Sequence, residues 1–476
     1  MRKSFKKAGV LALVGTAAAV TYAAPPSESW SNGVAEAKQL DDNRSKGNGK
    51  QPKNVILLIG DGMGPTQVSA ASYLKGDGFG TEDLTMNTFK NIGFARTFSH
   101  DNTVTDSAAA ATAFSSSHKT DNNVIGLAPE KEKHEEDEDH FEVATVLEEA
   151  EDRGKATGLV TTTRITHATP AAFASHIDHR DKENEIAVQM LKEHEVDVLL
   201  GGGKGQFLPK SEGGKREDGL NLLKDAEKRG YTIAEDAKGL EKAKEGKLLG
   251  LFNTSHMNYE LDRDLTKEPS LAEMTEKAID VVSKEKEGFF LMVEGGRIDH
   301  AAHVNYPAST MRETLAFDDA VKVAKEFAER NKDTLVIVSA DHETGGMSIG
   351  AGGTYGFNKD IIRNVTRSAE YMGKQVNKEK TNIPEVMEKF AGIKDLKEEE
   401  IKRIADEKSA ADGIAKVISN RALIGWTTTG HTGVDVPVYA FGPQADKLTG
   451  TIDNTKIAEV ISEAVKGKQQ GKPVKK

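Results

Sequence analysis

The residues able to do chemistry in this chain of 476 amino acids are carboxylates, histidines, one well-placed serine and one arginine. Residues 104–112 (VTDSAAAAT) put Asp106 where it would cap an alanine-rich helix and Ser107 at that helix's first position. A hydroxyl there faces free backbone N–H groups and the positive end of the helix dipole, a setting that stabilises a phosphate or an oxyanion. Residues 294–303 (EGGRIDHAAH) space Asp299 and His303 four apart, so that on a helix both project from one face and can hold one metal, with His300 beside them. Asp61 lies in a glycine-rich turn (GDGMG, 60–64), Asp341 and His342 in ADHETGG (340–346), and His431 in the polar loop TTTGHTG (427–433). Segment 167–180 (HATPAAFASHIDHR) adds His167, Thr169 as a ligand candidate and Arg180 as an anion clamp. Nitrogen and oxygen donors of this kind suit hard and borderline divalent ions. Two such ions roughly 4 Å apart can clamp the entering and leaving oxygens of an in-line phosphoryl displacement.

These side chains need elements to position them. Four continuous apolar runs, 55–59, 157–160, 289–293 and 334–338, predict strands buried on both faces, and 436–441 predicts a fifth. Three of the runs lead into an acid: Asp61, Glu294 and Asp341. In open α/β sheets ligands bind beyond the carboxyl ends of the strands, which is where these acids fall. Short apolar runs alternating with amphipathic helical stretches predict an α/β fold: a large, mostly parallel central sheet flanked by helices on both faces. Residues 205–275 and 343–425, rich in Lys, Glu and Gly, read as peripheral insertions, and the acidic stretch 130–142 as a solvated face. The glycines at 201–203 read as a plain turn after a strand rather than a phosphate loop.

Composition bounds the function. With 64 Lys+Arg against 75 Asp+Glu the net charge is −11, which argues against nucleic acid as the main partner. Cysteine is absent, so disulfides, thiolate zinc sites and a cysteine nucleophile are excluded. Arg2, Lys3, Lys6 and Lys7, the apolar run 10–20 and small residues at Ala23 and Ala24 have the layout of a signal peptide over 1–24, too short for a membrane span. The expectation is export, periplasmic or extracellular, after cleavage near Ala24. Residues 25–52 read as a flexible linker, 53–466 as the catalytic domain and 467–476 as a basic tail.

Taken together and in order, GDGMG (60–64), VTDSAAAAT (104–112), HATPAA (167–172), EGGRIDHAAH (294–303), ADHETGG (340–346) and TTGHTG (428–433) resemble the alkaline phosphatase family, over about residues 53 to 443. The resemblance implies an exported, metal-dependent phosphomonoester hydrolase of broad substrate range and alkaline optimum, acting through a phosphoserine intermediate. By motif it places the nucleophile on Ser107, next to Asp106, and the phosphate clamp on Arg180. It implies two zinc ions, one held by Asp299, His303 and His431, the other by Asp61, Asp341 and His342. A magnesium ion would be held by Asp61, Thr169 and Glu294. Enterobacterial members carry Asp and Lys where this chain has His167 and His300. His167 thereby becomes a candidate for the third metal's surroundings, and the loss of a lysine charge should ease phosphate release.

A phosphodiesterase, sulfatase or phosphomutase on the same metal core is the nearest rival. The serine context argues against a sulfatase, which would want a formylglycine precursor, and the export signal against a mutase; a phosphodiesterase stays open, because the insertions decide how a second ester group is accommodated. A secreted binding protein without catalysis is a further alternative, opposed by the completeness of the serine, arginine and ligand set. The resemblance leaves monomer and homodimer both open.

Overall fold

Asn54–Ile59 is a strand in which every residue is buried, as its unbroken apolar character requires. In the computed structural model it lies second from one side of the central sheet's run of parallel strands. The structure describes residues 51–77, 80–130, 139–244 and 246–467; the signal-peptide region, the 467–476 tail beyond its first residue, nearly all of the linker and most of the acidic stretch lie outside them. In chain order the sheet contains β1 (Asn54–Ile59), β2 (Asn91–Arg96), β3 (Ala156–Arg164), β4 (Val198–Gly202), β5 (Thr232–Ala234), β6 (Leu248–Leu251), β7 (Phe289–Glu294), β8 (Thr334–Ser339), β9 (Val436–Phe441) and β10 (Gly450–Asp453). These ten strands are ordered β10-β2-β9-β8-β1-β7-β3-β4-β6-β5. Only β9 runs against its neighbours; all other pairs are parallel.

Two groups of helices cover the sheet. Pro307–Arg330 packs with Leu271–Val282 and Pro65–Lys75, while Thr455–Lys466 packs with Ser107–Ser116 and Val146–Glu151. The central residues Ile56, Leu57, Leu291 and Ile337 are wholly inaccessible, each worth about 1.5–3 kcal/mol of apolar burial. The expected mostly parallel sheet with helices on both faces is the fold observed.

Residues 205–275 supply β5 and β6, the last two strands on one side of the sheet. Residues 343–425 form a helical layer with its own core, in which Ile362, Met372, Ile383, Met387 and Ile414 pack together and against Leu74 and Met311. Its stem is a pair of short ladders, Glu343–Thr344 with His431–Thr432 and Met347–Ile349 with Ile424–Trp426. Among the described residues no helix is long and apolar enough to cross a membrane.

Candidate active site

Strand register alone brings the acids together. Ile59 pairs with both Glu294 and Ser339, and Glu294 pairs with Thr161, so the carboxyl ends of β8, β1, β7 and β3 finish side by side. Asp61 and Asp341 follow directly. Between them Gly62 takes φ +71°, and a Cβ there would stand 2.8 Å from Thr344 Oγ1 and 2.9 Å from Asp299 Cα. Only glycine permits so close an approach in that conformation.

Ser107 opens the helix Ser107–Ser116, whose residues are all buried. Asp106 caps it, its Oδ1 accepting from Ala109 N at 3.0 Å. The other oxygen, Oδ2, accepts from Arg180 Nη1 at 2.7 Å and from Asn123 N at 3.1 Å. The first-turn N–H groups of Ser107 and Ala108 have no intrahelical acceptor and point out of the helix start. Ser107 Oγ lies 3.2 Å from His342 Nε2. On the far side of that ring, Nδ1 is 3.2 Å from Thr344 Oγ1, which itself donates to Asp299 Oδ1 at 2.5 Å. A hydroxyl that donates to Asp299 accepts from Nδ1–H, and this leaves Nε2 as the imidazole's lone pair.

His342 Nε2 also lies 3.5 Å from Asp61 Oδ1 and 3.3 Å from Asp341 Oδ2. Asp341 Oδ1 is satisfied by the backbone N–H groups of Gly62 and His342, at 3.1 and 2.9 Å. Next to this group, His303 Nε2 is 3.2 Å from Asp299 Oδ2, and His431 Nε2 is 3.6 Å from Asp299 Oδ1. Both rings are fixed from behind: His303 Nδ1 is 2.6 Å from the carbonyl of Thr429, and His431 Nδ1 is 2.8 Å from that of Thr105. The two Nε2 atoms face each other at 3.1 Å. Two lone pairs at that distance repel unless a proton or a cation lies between them.

The third group is built on Glu294. Its Oε2 accepts from the hydroxyls of Thr161 and Thr163, and Thr169 lies beside it. Ligand atoms of Asp61, His167 and Glu294 lie within 4.8 Å of one another, as do those of Asp61, Asp341 and His342, and those of Asp299, His342 and His431. His167 Nε2 faces Arg180 Nη2 at 3.2 Å, and its Nδ1 is buried without a partner. His300 joins none of these groups; it lies 2.9 Å from Arg297 Nη1 and edge-on to His256 and His167.

Does this donor set fit metal ions? Both oxygens of Asp61, Glu294 Oε1, Asp341 Oδ2 and Thr169 Oγ1 are buried with no hydrogen-bond partner. Burial, reinforced by the charges of Asp341 and Asp299, pushes the Asp61 carboxyl well above its ordinary range. Burial likewise raises Glu294 to about 7, against the hydrogen bond from Thr161, and Asp341 to about 6. Burial would depress His303, but its bond to Asp299 wins and holds the imidazole at about 9. The five carboxyl groups of Asp61, Asp106, Glu294, Asp299 and Asp341 crowd against only two protein cations, Arg180 and the His303 imidazolium. Cations at the orphaned oxygens resolve the unpaired acceptors, the carboxylate repulsion and the facing imidazoles together. The residues fit.

All thirteen residues singled out in the sequence therefore fall in one locus. His256, Thr344, Thr161 and Thr163 were not foreseen. Thr344 lies within ADHETGG, where a hydroxyl two residues beyond a histidine was the available signal; His256 lies in a stretch with no motif.

A sequence model described as alkaline phosphatase matches residues 52–466. The chain is 42% identical over 452 residues to alkaline phosphatase 3 of Bacillus subtilis, covering 91% of this chain and 93% of that protein. Among solved structures, the cold-active alkaline phosphatase of a psychrophilic Shewanella superposes with a TM-score of 0.77 at 32% identity, over 87% of this chain and 99% of that one. A variant of the alkaline phosphatase from the Antarctic bacterium TAB5, with Mg bound in its M3 site, superposes with a TM-score of 0.64 at 30% identity, over 88% of this chain and 99% of that one. Fold and site thus define a hydrolase built on the carboxyl ends of a parallel sheet, and the chain belongs to the alkaline phosphatase family. It is a phosphomonoester hydrolase.

Proposed function

We propose that the protein is an exported, metal-dependent phosphatase of broad monoester range and alkaline optimum that works through a phosphoserine at Ser107. The observation that carries the reading is the serine hydroxyl 3.2 Å from His342 Nε2, amid buried carboxylate oxygens that have no partner. Asp299, His303 and His431 would hold one zinc ion, Asp61, Asp341 and His342 a second, and Asp61, Thr169 and Glu294 a magnesium ion, with His167 against the last. When bound, these ions supply Lewis acidity that makes a serine or water oxygen nucleophilic and offsets charge on the departing oxygen.

The chain's own groups do the rest. Ser107 Oγ attacks phosphorus; the new Oγ–P bond forms as the ester P–O bond breaks and the alcohol departs. Water then attacks the phosphoserine, the Oγ–P bond breaks, and phosphate leaves with Ser107 reprotonated. Arg180, braced on Asp106, is positioned to grip two phosphate oxygens. The free N–H groups at the start of the Ser107 helix add positive potential on the same side. Thr344 holds His342 and Asp299 in register, and Thr161 and Thr163 hold Glu294. Recognition centred on the phosphate supports broad monoester use. The ligand set is fully deprotonated only at high pH, since Glu294 and His303 sit at about 7 and about 9. Metal loading that strengthens with pH supports an alkaline optimum.

The test is to quench the zinc- and magnesium-loaded enzyme in acid during turnover of a radiolabelled monoester and map the label. Label on Ser107, absent in Ser107→Ala, is expected. Turnover with no label at Ser107 overturns the reading.

A further inference from the structure

Outside the Ser107 locus a second set of metal-ligating side chains converges. Ligand atoms of Glu148, His176 and His194 all lie within 4.8 Å of one another. His176 Nε2 is 2.8 Å from Glu148 Oε1, and His194 Nδ1 is 3.6 Å from the same oxygen and 3.9 Å from Glu151 Oε2. The four residues come from three segments: the helix Val146–Glu151, the loop after Ala168–Ala171, and the residue that follows the π-turn Gln189–Glu193.

We propose that Glu148, His176 and His194, with Glu151 as a fourth donor, form a structural site for a zinc-class divalent ion.

The Glu148 and His176 side chains are held from behind, as metal ligands are. Glu148 Oε2 accepts from Thr145 N at 2.7 Å in a capping box, which turns Oε1 toward the histidines. His176 Nδ1 is 2.7 Å from the carbonyl of Gly126, so it donates there and leaves Nε2 to bind. Gln189 grips the backbone of His176 at both ends, accepting from its N at 2.7 Å and donating to its O at 3.1 Å. The π-turn bond from His194 N to Gln189 O, 3.0 Å, sets the position of His194. Such turns are frequently retained at functional sites.

The spacing of His194 is that of a metal donor, whereas His176 stands at hydrogen-bond distance from Glu148 Oε1, 2.8 Å, and would move out by about half an ångström to share an ion with it. With zinc–ligand bonds of about 2.0–2.2 Å, the donors of a tetrahedral shell stand roughly 3.3–3.5 Å apart. His194 meets Glu148 near that separation and makes no hydrogen bond to it. A proton on His176 satisfies one contact only; a central cation satisfies all of them. Entry is open: a cleft of about 550 Å³ is lined by Glu151, His194, Asp197 and Glu285. The site would tie three segments together in a chain without cysteine. One of them runs on through His176 to Arg180, whose own N–H is bound to Asn123 O at 2.8 Å.

The full-length enzyme and its His176→Gln/His194→Gln variant are equilibrated in the same zinc buffer, and bound zinc is counted by mass spectrometry. The variant should carry one zinc fewer per chain, and zinc should raise its melting temperature by several degrees less than it raises that of the parent. Equal zinc content, or an equal thermal shift, reduces the cluster to an ion pair and overturns the proposal. Should the double variant fail to fold, His194→Asn, which changes only the cleft side, carries the same expectation. Because the count is a difference between proteins that share every Ser107-site ligand, it is independent of the phosphoserine reading.

Discussion

Asp106 binds Arg180 at 2.7 Å with one carboxylate oxygen while the other caps the helix that Ser107 begins. The nucleophile and the anion clamp are thereby held by the same side chain, and neither can move without straining the other. Asp106→Ala should cost about 1 kcal/mol of stability from the lost cap. It should also weaken inhibition by inorganic phosphate several-fold, because the guanidinium loses its brace. Urea melts and phosphate Ki values check both; an unchanged Ki would show that Arg180 is held without Asp106.

Thr344 links Asp299 to His342. Thr344→Val keeps the shape and removes both bonds, so the two ligands lose their common support. Outer partners of metal ligands are typically worth 10–100-fold in affinity, and a loss of about that size in zinc affinity is expected. Competition with a chromophoric chelator measures it, and Thr344→Ser should recover most of it.

Metal removal should lower stability, and more so as pH rises. His303 sits at about 9, above its unfolded value of about 6.5, so in the chelated chain its contribution is complete below about 6.5 and lost as pH rises through about 9. Glu294 and Asp341, at about 7 and about 6, are also raised, and the chelated chain loses stability as they ionise. Metal binding requires these deprotonated forms and strengthens over the same interval. The gap in melting temperature between loaded and chelated protein should therefore widen from pH 6 to pH 9. A gap that is flat or narrows would contradict the assignment of these residues as ligands.

Away from the site, Glu313 is buried on the helix Pro307–Arg330 and accepts from Glu260 N at 2.6 Å. Burial pushes its carboxyl up to about 8. The folded state thus binds a proton that the unfolded state releases near 4.5, and stability falls as pH rises from about 4.5 to about 8. Glu313→Gln, which retains an acceptor for Glu260 N, should be neutral near pH 4.5 and stabilising at pH 9 in urea melts.

Much of this site was legible because its residues interrupt apolar runs. Asp61, Glu294 and Asp341 stand at the ends of strands that have no other acid, and Ser107 stands at the head of a run of alanines. The β-strands predicted at 55–59, 157–160, 289–293, 334–338 and 436–441 fall within β1, β3, β7, β8 and β9. His256 gave no such signal. Its loop is carried to the site by backbone bonds, Met257 N to Thr162 O and Gly203 N to Ser255 O, which depend on where β3 and β4 end in space rather than on local pattern. Thr161 and Thr163 read as ordinary β-branched strand residues until Glu294 is placed beside them. The shorter strands β2, β5, β6 and β10 carry no legible run for a different reason. β2 alternates exposed and buried residues, and the others run only three or four residues.

The ladder of Glu343–Thr344 with His431–Thr432 has a consequence for variation among such chains. Roughly ninety residues leave and return through a stem two residues wide, so to polymer physics the helical layer is one large closed ring. Closing a ring grows dearer only with the logarithm of its contour, about 0.6 kcal/mol for each doubling. The stem also carries His342 at one foot and His431 at the other, their rings 3.5 Å apart. Segments of very different length can therefore be threaded above the same two feet with almost no entropic penalty. The layer above can diverge in this way while the two feet and the side chains they carry stay fixed.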